Sequence, residues 1–155
     1  MNTFASYLED DHAHCDACLK QTNAAVREGH WDLAAERMAA FVHGLERHLL
    51  IEERFVFTPF EQVLGEVESP TTSMRAEHQR IRAVVQRLAG AVEARDGTAF
   101  VNHADSLLLL MHQHSEREEG LLYPLIQRVL AQRRIDPVAA IRAYELNQDC
   151  VVKAP

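Results

Sequence analysis

The pattern His-x3-Glu-Glu occurs twice in this chain, as His48…Glu52-Glu53 and His114…Glu118-Glu119. A further histidine stands 36 residues before each copy, His12 before His48 and His78 before His114, so the two halves superpose at a shift of 66 residues. On a helix, residues four apart lie one above the other on the same face. A histidine and a glutamate so spaced can aim an imidazole nitrogen and a carboxylate oxygen at one point. Two such pairs plus two more histidines supply donors for two metal ions. The candidate metal ligands are His12, His48, Glu52, His78, His114 and Glu118. A single His-x3-Glu is ordinarily a hydrogen-bonded surface pair; repetition in register and the two extra histidines set this chain apart.

The elements that must position these residues read at helical period almost throughout. Leu8, His12, Cys15, Leu19, Thr22 and Val26 step by four and three, and Gly29 is a natural C-terminal cap. A second helix, capped by Asp32, carries the stripe Met38, Phe41, Leu45, His48, Glu52 and Phe55, and is predicted to stop near Thr58 because Pro59 cannot continue it. The stretch from Phe60 to Pro70 is the longest predicted connector. A third helix starts around Pro70 to Ser73, presents Met74, His78, Ile81, Val85, Leu88 and Val92, and ends at the turn dipeptide Asp96-Gly97. Thr98 is the expected cap of a fourth, with the stripe Val101, Ala104, Leu107, Met111, His114, Glu118 and Leu121, ended or kinked by Pro124. A short helix is predicted from Asp136-Pro137, then a loose tail.

Four long helices joined by short links imply an all-α fold, an up-down-up-down antiparallel four-helix bundle with a short extra C-terminal helix. The expected division is residues 1–135 for the bundle and 136–155 for the last helix and tail. No strand pattern competes.

Four histidines and two glutamates lie on stripes that are otherwise apolar. An ionised carboxylate in a dry core costs several kcal/mol, on the order of what relaxed proteins pay. Two facing each other are worse, since like charges disfavour mutual ionisation. A pair of cations between them removes the difficulty. The simplest arrangement gives one ion to His12 and His48 and the other to His78 and His114, with Glu52 and Glu118 bridging. Each ion would keep open positions for a small ligand.

The bulk composition fits. The chain has 155 residues, 47% hydrophobic and 25% charged, which is globular and not disordered. Its net charge of −7, with no basic run, excludes a nucleic-acid surface. The N-terminus shows no signal pattern, and the longest apolar run, Leu107 to Met111, is far too short for a membrane span. Three cysteines, an odd count, point to a reduced, cytoplasmic chain.

Glu53 and Glu119 sit one step round the helix from the core glutamates, where each can steady a histidine from behind, ligate directly, or stay solvated. His14, His30, His43, His103 and His112 fall off the stripes or near helix ends, and His112 alone could border the site. Cys15 and Cys18 lack a second Cys-x2-Cys to complete a zinc site, so Cys15 reads as a small apolar filler. Phe41, Phe55, Phe57 and Tyr123 are expected to wall the site, and Trp31 to pack at a helix junction. Arg82, one turn after His78, can pair with a site carboxylate, an anion or a surface acid.

Taken together, Asp11-His12, His48-Leu-Leu-Ile-Glu52-Glu53, Ala76-Glu77-His78-Gln79 and His114-Ser-Glu-Arg-Glu118-Glu119 with Tyr123-Pro124 resemble the hemerythrin-like family, the HHE cation-binding domain, over roughly residues 4 to 132. The resemblance implies a non-haem centre of two iron ions, usually with an oxo or hydroxo bridge, that binds dioxygen or related small molecules. The chain departs from the oxygen carriers in two places. They have a second histidine where Arg82 stands, and a His-x4-Asp pair on the fourth helix where this chain has glutamate at both Glu118 and Glu119. In this it is more similar to family members that sense iron or take part in iron-centre repair. A more open second metal favours sensing or redox turnover over a stable oxygen adduct.

The function expected is therefore a di-iron protein that binds or senses a small diatomic ligand (dioxygen, nitric oxide) or iron. The alternatives are a di-iron or di-manganese enzyme reducing dioxygen, peroxide or nitric oxide, and a storage or repair module. Zinc and manganese suit the same nitrogen and oxygen donors. No residue outside the metal ligands reads as a dedicated nucleophile or acid–base pair. The last helix either caps the bundle or mediates self-association.

Overall fold

The computed structural model describes the backbone of residues 3–65 and 68–152, and the side chains of 3–65 and 68–148. Every regular element among the described residues is helical. Helix α1 spans Phe4–Arg27. Helix α2, Trp31–Ile51, passes through a π-helical segment, Glu52–Phe57, into α3, Thr58–Leu64. Helix α4 spans Thr71–Glu93. Helix α5, Gly97–Arg117, passes through a second π-helical segment, Glu118–Leu122, into α6, Tyr123–Gln132. Helix α7 spans Pro137–Val152. Helix α1 packs on α2 and α5, and α4 packs on the same two, closing a ring of four rods.

The caps follow local chemistry. Thr3 accepts from the Ser6 N–H, and the Asp96 carboxylate accepts from the Ala99 N–H at 2.9 Å. Asp96 thereby takes the role expected of Thr98, because helix α5 already begins at Gly97. Asp32 is likewise not a cap: α2 starts one residue before it, with His30 at the cap position and no side-chain bond there. Gly29, at φ +73°, adopts the left-handed conformation that closes α1, with the His30 N–H reaching the Ala25 carbonyl at 2.9 Å. The final helix has 16 residues and is not short. The predicted tail falls partly outside the described residues.

Neither proline ends its rod. Pro59 and Pro124 lie in the first turn of α3 and α6, just past a π segment. A proline ring inside a regular α-helix clashes with the carbonyl four residues back and leaves it without a donor. The wider turn relieves this: the Thr58 N–H bonds the Glu53 carbonyl, and the Tyr123 N–H bonds the Glu118 carbonyl, both five residues back. The Glu53 carbonyl also accepts from the Thr58 hydroxyl at 2.7 Å and from Arg75 at 3.0 Å. The connector between the second and third rods therefore begins at Gly65, not Phe60.

Each π segment adds one residue to the turn and shifts the inward face by one position. Val56, Phe57 and Phe60 are buried while Phe55 is only half-buried. In the fourth rod Leu122, Tyr123 and Ile126 are buried, whereas Leu121, expected to face inward, is 72% exposed.

Two apolar clusters form. One contains Cys15, Leu19, Met38, Phe41, Leu45, Ile81, Val85, Leu107 and Met111. The other contains Phe4, Leu8, Ile51, Val56, Phe57, Met74, Leu122, Tyr123 and Ile141, which brings α7 into the core. The four histidines and Glu118 lie between them along the chain: His12 between Leu8 and Cys15, His48 between Leu45 and Ile51, His78 between Met74 and Ile81, His114 and Glu118 between Met111 and Leu122; Glu52 directly follows Ile51.

Candidate metal centre

That polar layer contains all six predicted donors. His12, His48, Glu52 and Glu118 form one group, and Glu52, His78, His114 and Glu118 form a second, the donor atoms within each lying within 4.8 Å of one another. The two groups share Glu52 and Glu118, neither of which has any solvent exposure. Glu52 Oε2 lies 3.4 Å from His48 Nε2 and 3.3 Å from His78 Nε2. Glu118 reaches His12 Nε2 at 3.3 Å and His114 Nε2 at 2.9 Å.

Each histidine has a carboxylate at its other nitrogen. Nδ1 of His12 lies 2.7 Å from Glu119, Nδ1 of His48 3.5 Å from Asp11, Nδ1 of His78 2.8 Å from Glu53, and Nδ1 of His114 2.9 Å from Glu77. The four pairs obey the 66-residue shift: His12–Glu119 matches His78–Glu53, and His48–Asp11 matches His114–Glu77. An acid at Nδ1 holds the proton there and turns the Nε2 lone pair toward the centre. Glu53 and Glu119 thus steady histidines. Glu77 does the same for His114, whereas Asp11 faces His48 without a hydrogen bond; sequence reasoning passed over both. Their signal was present: each immediately precedes a candidate histidine, at positions related by the same shift.

Arginines hold three of these four acids. Arg82 donates to Glu53 at 2.8 Å and also holds Glu46, Arg117 lies 2.5 Å from Glu77, and Arg47 lies 3.6 Å from Asp11. Arg82 therefore acts through Glu53 on His78.

The aromatic walls divide differently from expectation. Phe57 stacks on His78, with centroids 5.5 Å apart, and Tyr123 lies parallel to His12 at 6.2 Å. The Tyr123 hydroxyl donates to Glu52 and also lies 3.2 Å from Glu118. Phe55 packs instead on Tyr144 of α7, and Phe41 lies in the apolar cluster beyond Leu45. Trp31 packs against that same cluster.

Burial and carboxylates compete over the charge of these groups. Burial alone would lower the His12 and His78 pKa values, but Glu118 and the neighbouring acids outweigh it, raising His12 to about 9 and His78 to about 11. His114 is raised for the same reasons. Glu118, despite its burial, is held well below the usual carboxylate range by His114, His12 and His78. Burial and the two core glutamates push the Tyr123 phenol well above 10 and keep it protonated.

Do these residues fit a metal? The Nε2 atoms of His12 and His48, Glu52 Oε2 and Glu118 Oε1 are all buried without a hydrogen-bond partner. Nε2 of His78 stands only 3.2 Å from Nε2 of His114, while both rings keep a carboxylate at Nδ1. Without a cation, that contact needs a proton on one of the two rings, as the raised His78 and His114 pKa values provide. Natural structures leave few buried polar groups unsatisfied. Several converging on one point, all metal-ligating types, fit a pair of cations.

His14, His30, His43 and His112 are exposed and His103 is half-buried, away from the cluster. Cys15 and Cys18 are free thiols, and burial with Asp11 nearby pushes Cys15 up to about 12, which leaves it unreactive.

The fold and the layer of histidines and acids define a helical cation-binding domain. The sequence profile of the hemerythrin HHE cation binding domain matches residues 3–138, and the chain belongs to that family. No curated protein and no solved structure matches it. No helix among the described residues is long and apolar enough to cross a membrane.

Proposed function

We propose that the chain is a di-iron protein that binds or senses a small diatomic molecule, dioxygen or nitric oxide, or iron itself. His12 and His48 would hold one ion, His78 and His114 the other, and Glu52 and Glu118 both. The observation that carries this reading is the convergence of buried, unpartnered Nε2 and Oε atoms at two overlapping points. The rods run alternately from one apolar cluster to the other, which supports the up-down-up-down order. The free thiols are compatible with a cytoplasmic location, and the net charge of −7 argues against a nucleic-acid partner.

Bound iron would supply electron transfer and a site for a small molecule. The chain supplies the rest. Glu52 and Glu118 balance charge in the dry layer. Glu53, Glu77 and Glu119 keep three of the imidazoles in one orientation, and Asp11 places a carboxylate behind the fourth. Tyr123 steadies both core glutamates, and the apolar clusters on either side keep bulk water out. A second reading, a di-iron or di-manganese enzyme acting on dioxygen, peroxide or nitric oxide, is favoured by Arg82. Tied to Glu46 and Glu53, it adds no donor at the position where oxygen carriers have a histidine.

Metal analysis and an ultraviolet-visible spectrum, on protein purified without oxygen and then exposed to air, test the proposal. Two equivalents of iron and charge-transfer bands on oxidation are expected, with both lost in Glu52→Ala. Iron that binds equally well to Glu52→Ala would overturn the ligand set. Sustained turnover with a reductant would select the second reading.

A further inference from the structure

The two halves of the centre match in sequence but not in how firmly they are closed. Three of the four acids behind the histidines are tied to an arginine: Asp11 to Arg47, Glu53 to Arg82 and Glu77 to Arg117. The fourth, Glu119, pairs with no arginine or lysine among the described residues; its partner is His12 itself. Glu119 is also the most exposed of the four, at 40% against 17% for Asp11, 23% for Glu53 and 10% for Glu77. The histidines follow suit: the His12 side chain is 13% exposed, while His48, His78 and His114 stand at 2%, 0% and 4%.

The origin of the difference lies one helical turn past the matched histidines. Arg82 follows His78 by four residues and clamps Glu53. The residue at the corresponding place, four after His12, is Asp16. Where one half carries a cation that locks the outer acid, the other carries a second acid. Glu119 thus has no cationic clamp among the described residues, and the residue at the clamp's place is itself acidic.

Resting on the reading of this layer as a dinuclear cation site, we propose that divalent cations enter and leave through the His12–Glu119 corner, with Glu119 as the moving arm and Asp16 at its mouth. An ion arriving from water meets unclamped carboxylate charge here first. His12 and its acid can then move together without breaking an arginine contact, whereas the acid behind each of the other three histidines holds one. The His78 and His114 side serves as the fixed floor of the centre.

The proposal is tested with zinc on the metal-free 155-residue chain, following uptake in stopped flow and release to a coloured chelator. Asp16→Arg supplies the clamp that Arg82 provides opposite. It is expected to slow both uptake and release about tenfold or more, within the range that partners behind metal ligands command, while two equivalents of zinc still bind. Asp105→Arg, an equal change of charge on the exposed face of α5, should leave both rates near wild type. Glu119→Gln, which loosens His12, is expected to speed release by a similar factor and gives an independent readout should Asp16→Arg fold poorly. Wild-type rates in both site variants, or equal slowing by Asp105→Arg, would overturn the proposed route while leaving the metal site standing. Failure of the wild-type protein to take up zinc would overturn both.

Discussion

Tyr123 and Phe57 occupy equivalent positions in the two halves of the chain, 66 residues apart, and only Tyr123 carries a hydroxyl. Phe57 lies over His78 and Tyr123 over His12, so the rings do the same packing work. The hydroxyl adds contacts to Glu52 and Glu118 that the opposite wall lacks. Tyr123→Phe should therefore keep the fold but lose about 1.5–3 kcal/mol of stability in the metal-free protein, the range for hydrogen bonds to charged groups. Urea unfolding measures it; an unchanged midpoint would mean the hydroxyl does not support the glutamates.

Glu77 acts on His114 without facing the centre. Glu77→Gln should weaken metal affinity about 10–100-fold, as loss of a ligand's outer partner does, with stoichiometry unchanged. Competition with a chelator of known affinity reads the change. His14→Ala, on the exposed side of the same helix as His12, should leave affinity at the wild-type value, whereas His12→Ala should lower the amount of metal bound.

Metal-free protein should lose stability as the solution becomes alkaline. The folded-state pKa values of His12 and His78 are raised from 6.5 to about 9 and about 11, so the stability they add is fully present below 6.5 and lost as pH climbs through 9 and 11. Glu118 is depressed, so its contribution is present above 4.5 and lost as pH falls through its folded pKa. Maximum stability of the metal-free form is expected between these limits, near pH 4.5–6.5. Metal binding must displace the histidine protons and so tightens with rising pH. Thermal melts across pH 5 to 10, with and without zinc, should show opposite trends on the alkaline side, roughly as proton linkage requires. Parallel trends would contradict the histidine assignments.

Helix α7 connects to the centre through charge. Glu145 pairs with Arg47 at 2.5 Å and accepts from Tyr7, while Arg47 also faces Asp11, the partner of His48. These groups are part-exposed, so Glu145→Ala should cost no more than about 1 kcal/mol of global stability. Amide hydrogen exchange in α7 should nevertheless accelerate, since the helix loses its ionic tie and keeps, among the described residues, the packing of Val138, Ile141 and Tyr144. Exchange unchanged in α7 would show that apolar packing alone holds it.

Much of this protein was legible in the sequence because its chemistry is repeated. The recurrence of His-x3-Glu-Glu and of a preceding histidine brought out His12, His48, Glu52, His78, His114 and Glu118, and the helical stripes placed them inward. All six share one layer of the structure, five of them buried and His12 partly exposed. The stripes failed at Phe55 and Leu121, because a straight α-helical count cannot register the extra residue of a π turn, and the proline rule at Pro59 placed the end of the second helix too early. Asp11 and Glu77 lie beside the stripes, and only the packing of neighbouring rods brings them to His48 and His114. The difference between Arg82 and Asp16 was likewise visible as two letters, but its meaning depends on Glu53 being within reach of the arginine. Spacing along one helix specifies which side chains share a face. Which acid meets which imidazole, and which corner stays unclamped, is decided by contacts between helices, and these exist only once the rods have packed.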